Sequence, residues 1–136
     1  MQATLGAIDL TAGAPSKGNY LAISRTSPTV TVEQTMGGTQ IARVDPDRTG
    51  TVQVSQMLGA PANDSLSALV AQTETSGRAV SKPLLIKDYN GTTVYEMPEG
   101  CVVGYPAESM AADGTPVRVW TIAGVLRAVV GGQTNV

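Results

Sequence analysis

The chain has 136 residues, with nine basic and eleven acidic side chains, no histidine, no phenylalanine, one tryptophan and one cysteine. Without histidine, Ser-His-Asp and Cys-His nucleophiles and histidine metal sites are excluded. The near-balanced, scattered charge leaves no basic stripe to grip a phosphate backbone, and a lone Cys101 excludes an internal disulfide.

This length suits one domain, burying about two-thirds of its surface on folding without a metal or disulfide. The domain is expected to span 1–136, with a flexible segment 1–19 and a loose tail 131–136. The core must be built from Val, Leu, Ile, Ala and Met. Abundant Val, Ile and Thr favour pleated sheet, and fifteen glycines and eight prolines supply turns. No apolar run approaches the roughly 20 residues that span a bilayer. Met1–Leu10 lacks the basic-then-apolar order of a secretory signal. Folding in a reducing cytoplasm is the expectation.

In chain order, Thr4–Leu10 and Tyr20–Ser24 read as short strands. After Pro28, Val30 and Val32 alternate with Thr29, Thr31 and Glu33, a period-two pattern. Gly37-Gly38 suits a tight hairpin turn, and Gln40–Val44 returns. Asp45-Pro46-Asp47 interrupts, since proline donates nothing to a ladder. Thr49–Met57 resumes the alternation, with Val52 and Val54 opposite Thr51, Gln53 and Ser55. Thr29–Met57 is thus predicted to be one long hairpin, bent near Pro46.

A helix is predicted over Asp64–Glu74, about 16 Å long. Asn63, Asp64 and Ser65 offer N-caps, Leu66, Leu69 and Val70 make its apolar stripe, and Gly77 ends it. Beyond Pro83, Leu84–Asp88 reads as a strand buried on both faces. Asn90-Gly91 signals a hairpin, returning over Thr92–Met97. Cys101–Tyr105, Val117–Ala123 and Leu126–Val130 complete the strands, with Ala111–Gly114 as a loop. Hairpin connections without a βαβ rhythm point to a mainly β fold. The expected form is an antiparallel β-sandwich or barrel with one flanking helix and a long extended hairpin.

No catalytic or metal-binding constellation emerges. Cys101, among valines, reads as a buried structural thiol. Asp45 and Asp47 read as turn-forming acids neutralised by Arg43 and Arg48, because a calcium loop needs further acids and a glycine. Glu96 and Glu99 flank Pro98 as an exposed edge. Gly37-Gly38 and Gly131-Gly132 do not sit between a strand and a helix, so no phosphate cradle is implied. Tyr89, Tyr95, Tyr105 and Trp120 fit either a sugar-stacking surface or core positions that phenylalanine would otherwise fill.

The segment Asp47-Arg48-Thr49-Gly50-Thr51-Val52-Gln53-Val54 is followed by Pro61-Ala-Asn-Asp-Ser-Leu-Ser-Ala-Leu69. Then come Pro83-Leu-Leu-Ile-Lys-Asp-Tyr-Asn-Gly-Thr92, Trp120 and Val130-Gly-Gly132. In this order and spacing, from about Tyr20 to Gly132, the chain resembles the bacteriophage tail tube protein family, similar to the tubes of contractile tails and type VI secretion systems. Residues 1–19 and Met97–Ala112 match less clearly.

The resemblance implies a non-enzymatic, cofactor-free subunit of hexameric rings stacked into a tube. Such a protein is made in the host cytoplasm and built into the virion tail. Sheath and tape-measure proteins are the implied partners, and DNA passes through the bore at ejection without specific binding. Inter-ring stacking is then expected of Met36, Gly37 and Gly38 at the hairpin tip and of Arg43, Asp45, Asp47 and Arg48 lower on the same arm. The lumen would be lined by Thr29, Thr31, Glu33, Thr51, Gln53 and Ser55. Val30, Val32, Val52 and Val54 would face the core, and Leu66, Leu69 and Val70 would pack on the sheet. Two other roles remain open: a tail terminator, completion or baseplate protein of the same fold, or a monomeric β-sandwich module binding carbohydrate or a host surface.

Overall fold

A computed structural model describes residues 2–11, 21–57, 59–87, 91–106 and 117–132. Among these, ten strands and one helix follow in the order β1 (Gln2–Leu5), β2 (Ile8–Asp9), β3 (Leu21–Arg25), β4 (Val30–Gln34), β5 (Gln40–Val44), β6 (Thr49–Met57), α1 (Pro61–Ser76), β7 (Ser81–Lys87), β8 (Val94–Val102), β9 (Val117–Val125) and β10 (Arg127–Val129). The fold is mainly β, antiparallel, with one helix. Its main sheet runs β2-β1-β7-β8-β9-β6-β3, with β10 also paired to β8, while β4 and β5 pair only with each other.

Strand β6 is the axis of the sheet. It pairs with β3 from Leu21↔Val54 to Arg25↔Gly50, and with β9 along its whole length from Thr49↔Val125 to Met57↔Val117. Its residues alternate as the sequence predicts: Val52 and Val54 are fully buried, and Thr51, Gln53 and Ser55 stand on the opposite face. Both halves of the sheet feed one hydrophobic cluster. Ala3, Leu5, Leu84 and Ile86 come from one half, and Val52, Val54, Trp120 and Ile122 from the other. The sheet therefore doubles back over a shared core, in which Leu66, Leu69 and Val70 of α1 are also buried.

The bend lies where β8 changes partner, from β10 at Tyr95 and Glu96 to β9 at Cys101 and Val102. Glycines permit it. Gly50 and Gly124 are cross-strand neighbours. A Cβ on Gly124 would lie 2.9 Å from the Glu99 carbonyl oxygen, and one on Gly50 would lie 2.9 Å from Leu126 Cβ. Side chains at these positions would push the strands apart.

Several elements differ from the sequence prediction. The single strand over Thr4–Leu10 is a tight hairpin, because Gly6 takes a φ of 58° that other residues rarely adopt. Thr29–Met57 is not a self-paired hairpin, since β6 pairs with β3 and β9 rather than with β4 or β5. The long hairpin begins at Leu21, and β4–β5 form its outer part. Val30 and Val32 do not reach the core; they are 47% and 56% exposed. Strand β7 begins at Ser81 and is buried on one face only, with Leu84 and Ile86 inside and Leu85 exposed. The two strands predicted around residue 98 are one strand, β8, which carries Pro98 at an exposed position. Cys101 is half-buried rather than sealed in the core, and pairs across to Ala123. The Asn90-Gly91 turn and the 111–114 loop lie partly or wholly outside the described residues.

The helix starts at Pro61, not Asp64, with Ala60 as N-cap and Pro at the first position, and it ends at Gly77 in the left-handed conformation (φ 70°). Proline suits this start, because its missing N–H is an orphan there anyway. Asn63 is therefore no cap but a buried bridge. Its Nδ2 donates to the Met57 carbonyl at 2.7 Å, and its Oδ1 accepts from Trp120 Nε1 at 2.9 Å. The amide ties the start of α1 to the end of β6 and to the single indole in the core. Replacing Asn63 with alanine should destabilise the fold by about 1–3 kcal/mol for each buried group left without a partner. Urea unfolding followed by tryptophan fluorescence would measure the loss.

Candidate functional site

Two exposed surfaces stand out among the described residues. The first is the arm, β4–β5. Its strands pair from Val30↔Val44 to Gln34↔Gln40. At the tip Thr39 N–H donates to Thr35 Oγ1 at 3.1 Å, and Gly38 takes a φ of 84°. Every residue of both strands is exposed. The register places Val30, Val32, Ala42 and Val44 on one face of the ribbon. Thr31, Glu33, Ile41 and Arg43 occupy the other, where Arg43 and Glu33 form a 3.7 Å ion pair. Met36 projects from the tip with no cover at all. An isolated two-stranded hairpin is marginally stable in water, so an arm with an uncovered apolar face is an incomplete structure.

The base of the arm is fixed by side chains. Asp45 Oδ1 accepts from Asp47 N–H at 2.9 Å, and Asp47 Oδ1 accepts from Thr49 N–H at 3.0 Å. These are two consecutive Asx turns around Pro46. Hydrogen bonds from Thr49 hold the Asp47 carboxyl below its ordinary value of 3.8. A depressed pKa means that this bonding is fully present above 3.8 and weakens only as the pH falls through the lower folded value. Arg25 adds a strut: its Nη1 donates to Thr29 Oγ1 at 3.3 Å and its Nη2 to the Leu126 carbonyl at 2.9 Å. The two aspartates are thus occupied in turn formation, and the ion pair of Arg43 is made with Glu33 rather than with either of them.

The second surface is the outer face of β3, β6 and β9. Ser24, Thr51 and Ala123 form one row across it, and Ala22, Gln53 and Thr121 the next. Ser24 Oγ and Thr51 Oγ1 lie 3.2 Å apart. No charged side chain belongs to either row. Of the proposed lining residues, Thr51, Gln53 and Ser55 share this face. Thr31 and Glu33 belong to the arm, and Thr29 immediately precedes it, so the structure assigns the two sets to separate sheets. Met36, Gly37 and Gly38 are at the arm's tip, Arg43 is on β5, and Asp45, Asp47 and Arg48 are at its base.

Chemically reactive groups are sparse. Among the described residues no three His, Cys, Asp or Glu side chains gather as a metal would require. Trp120 is buried and Tyr95 packs against the core, whereas Tyr105 is 55% exposed, so these aromatics do not form one stacking surface. Sequence reasoning missed Gln56. It is fully buried, and its Nε2 donates to the Leu10 carbonyl at 2.6 Å. Its place on the Val52–Val54 face follows from strand parity alone.

The fold is similar to that of the anti-feeding prophage cap, the tube-terminating cap seen by cryo-electron microscopy. The TM-score is 0.54 at 11% sequence identity, over 94% of this chain and 86% of that one. The chain matches no protein-family model and no curated protein. If the arm makes no contribution to the fold of its own chain, Val32→Asp should change the stability of the monomer by less than about 0.5 kcal/mol, the usual range for surface changes. Chemical denaturation of dilute protein checks this.

Proposed function

We propose that the chain is a structural subunit of a phage-type tail, and that it forms rings that stack into a tube. The observation that carries this reading is the arm: a fully exposed ribbon with an aliphatic face, fixed at its base and projecting from the body. Such a feature gains its missing burial from another molecule. The likeness of fold to a tube-terminating cap supports a place in a tail assembly.

In this reading the rings are hexameric, and they close by pairing strand edges between copies. Among the described residues β3 pairs only with β6, which leaves its other edge for a neighbour. Cyclic closure limits growth within a ring, while the arms link one ring to the next. The uncharged face carrying Thr51, Gln53 and Ser55 lines the bore, where it passes DNA without gripping it. A sheath protein would surround the tube and a tape-measure protein would occupy it during assembly. The finished site of action is the virion tail.

A second reading is a terminating cap, favoured by the similarity of fold to a tube-terminating cap. The two differ in product. Light scattering after size exclusion, followed by negative-stain microscopy, should find rings and stacked rings for a tube subunit. Rings that never stack would support the cap. A strictly monomeric protein at high concentration would refute both.

A further inference from the structure

Two short connections join the arm to the body, and few bonds cross them. Independently of whether the chain forms rings, we infer that these connections are a hinge on which the arm swings as one piece, and that Arg25 is the latch that holds it at one angle.

The ladder is broken at the root of the arm. In the last rung of the body, Thr26 N–H donates to the Thr49 carbonyl at 3.0 Å. In the first rung of the arm, Asp45 N–H donates to the Thr29 carbonyl at 2.8 Å. Between these rungs lie Ser27 and Pro28 on one connection, and Pro46, Asp47 and Arg48 on the other. Among the described residues no backbone hydrogen bond crosses this gap, and neither proline has an N–H to donate. Arg48 belongs to the body, because its carbonyl accepts from Leu126 N–H at 2.9 Å. Beyond the gap, β4 and β5 pair only with each other, and every residue of both is exposed. A ribbon bonded within itself and not across its root turns as a unit, and the few connecting residues absorb the change in φ and ψ.

Side chains restrain the two connections differently. On the second, the Asp45 and Asp47 carboxylates accept from the N–H groups of Asp47 and Thr49, so these bonds run along one stretch of chain. They shape the pivot. On the first, Arg25 reaches across. Its Nη1 donates to Thr29 Oγ1 at the arm's root, and its Nη2 donates to the Leu126 carbonyl between β9 and β10. One guanidinium thus spans body and arm. Its donors are set in a fixed planar fork, so the two bonds fix an angle as well as a distance. The Thr29 bond is exposed, and water replaces it without stranding a buried group. The latch therefore opens at small cost. The tip of the arm stands roughly 20 Å from the gap, so a swing of about 20° carries Met36 roughly 7 Å.

Pulsed electron spin resonance reads the swing. Nitroxides on Met36→Cys and Gln72→Cys, in a Cys101→Ser chain, report the distance from the arm's tip to α1, and both sites are exposed. Dilute labelled protein is mixed with excess unlabelled chain, so that only distances within one chain are measured. With Arg25 and Thr29 in place, the distribution should be narrow. Arg25→Met and Thr29→Val should each broaden it by several ångström. Thr29→Ser keeps the hydroxyl and should leave it narrow. Trp120 fluorescence should stay unchanged, which shows that the body is intact. Thr29 is exposed, so its two variants test the strut even where Arg25→Met disturbs the body. A distribution already broad in the parent chain would overturn the latch. One that stays narrow in both Arg25→Met and Thr29→Val would overturn the hinge. Broadening by Thr29→Ser as large as by Thr29→Val would remove the strut from the account.

Discussion

Strand β6 is hydrogen-bonded along both edges, and the rest of the molecule is placed relative to it. Its inner residues, Val52, Val54 and Gln56, face the core, and its outer residues make the uncharged face. The β6–β9 ladder seats Trp120 directly across from Val54. Trp120 in turn needs a partner for its indole N–H, because a buried donor left alone costs free energy. Asn63 meets that need and anchors α1 at the same time. A core without phenylalanine thus uses one indole and one amide to fix the helix, and aliphatic packing does the rest.

The same strand gives the subunit its direction. The arm leaves beside Thr49, at its start, and the Thr51, Gln53 and Ser55 face runs along its length. A protein that ended its sheet at Arg25 and Thr49 would be a self-sufficient β domain. This one spends about twenty more residues on a ribbon that covers nothing of its own. The aspartates at 45 and 47 and the Arg25 strut hold that ribbon at its base, and a fixed arm loses less conformational entropy on docking than a loose one. In the proposed reading, rigid placement and uncovered aliphatic surface serve an assembly.

Much of this was legible in the sequence. Period-two alternation located β6, Gly37-Gly38 located the arm's turn, and Gly77 located the helix end, because each signal is local and physical. What alternation cannot supply is the identity of the partner. Val30 and Val52 sit in similar Thr-Val contexts, yet one is exposed and the other buried, since burial depends on which sheet the strand joins. Asn63 illustrates the same limit. Its propensity favours a cap, but Pro61 had already begun the helix and tertiary contact took over the amide. Tyr105 and Trp120, grouped by residue type, lie respectively on the surface and in the core.

The central claim is that another copy of the chain completes the arm. Hydrogen–deuterium exchange of the backbone amides from Val30 to Val44 tests it most directly, because exchange reports local opening. In the dissociated subunit these amides should exchange fast while those of Val52 and Ile122 stay protected. On assembly, the arm's protection should rise toward that of β6. Arm amides that exchange equally fast before and after assembly would contradict the account.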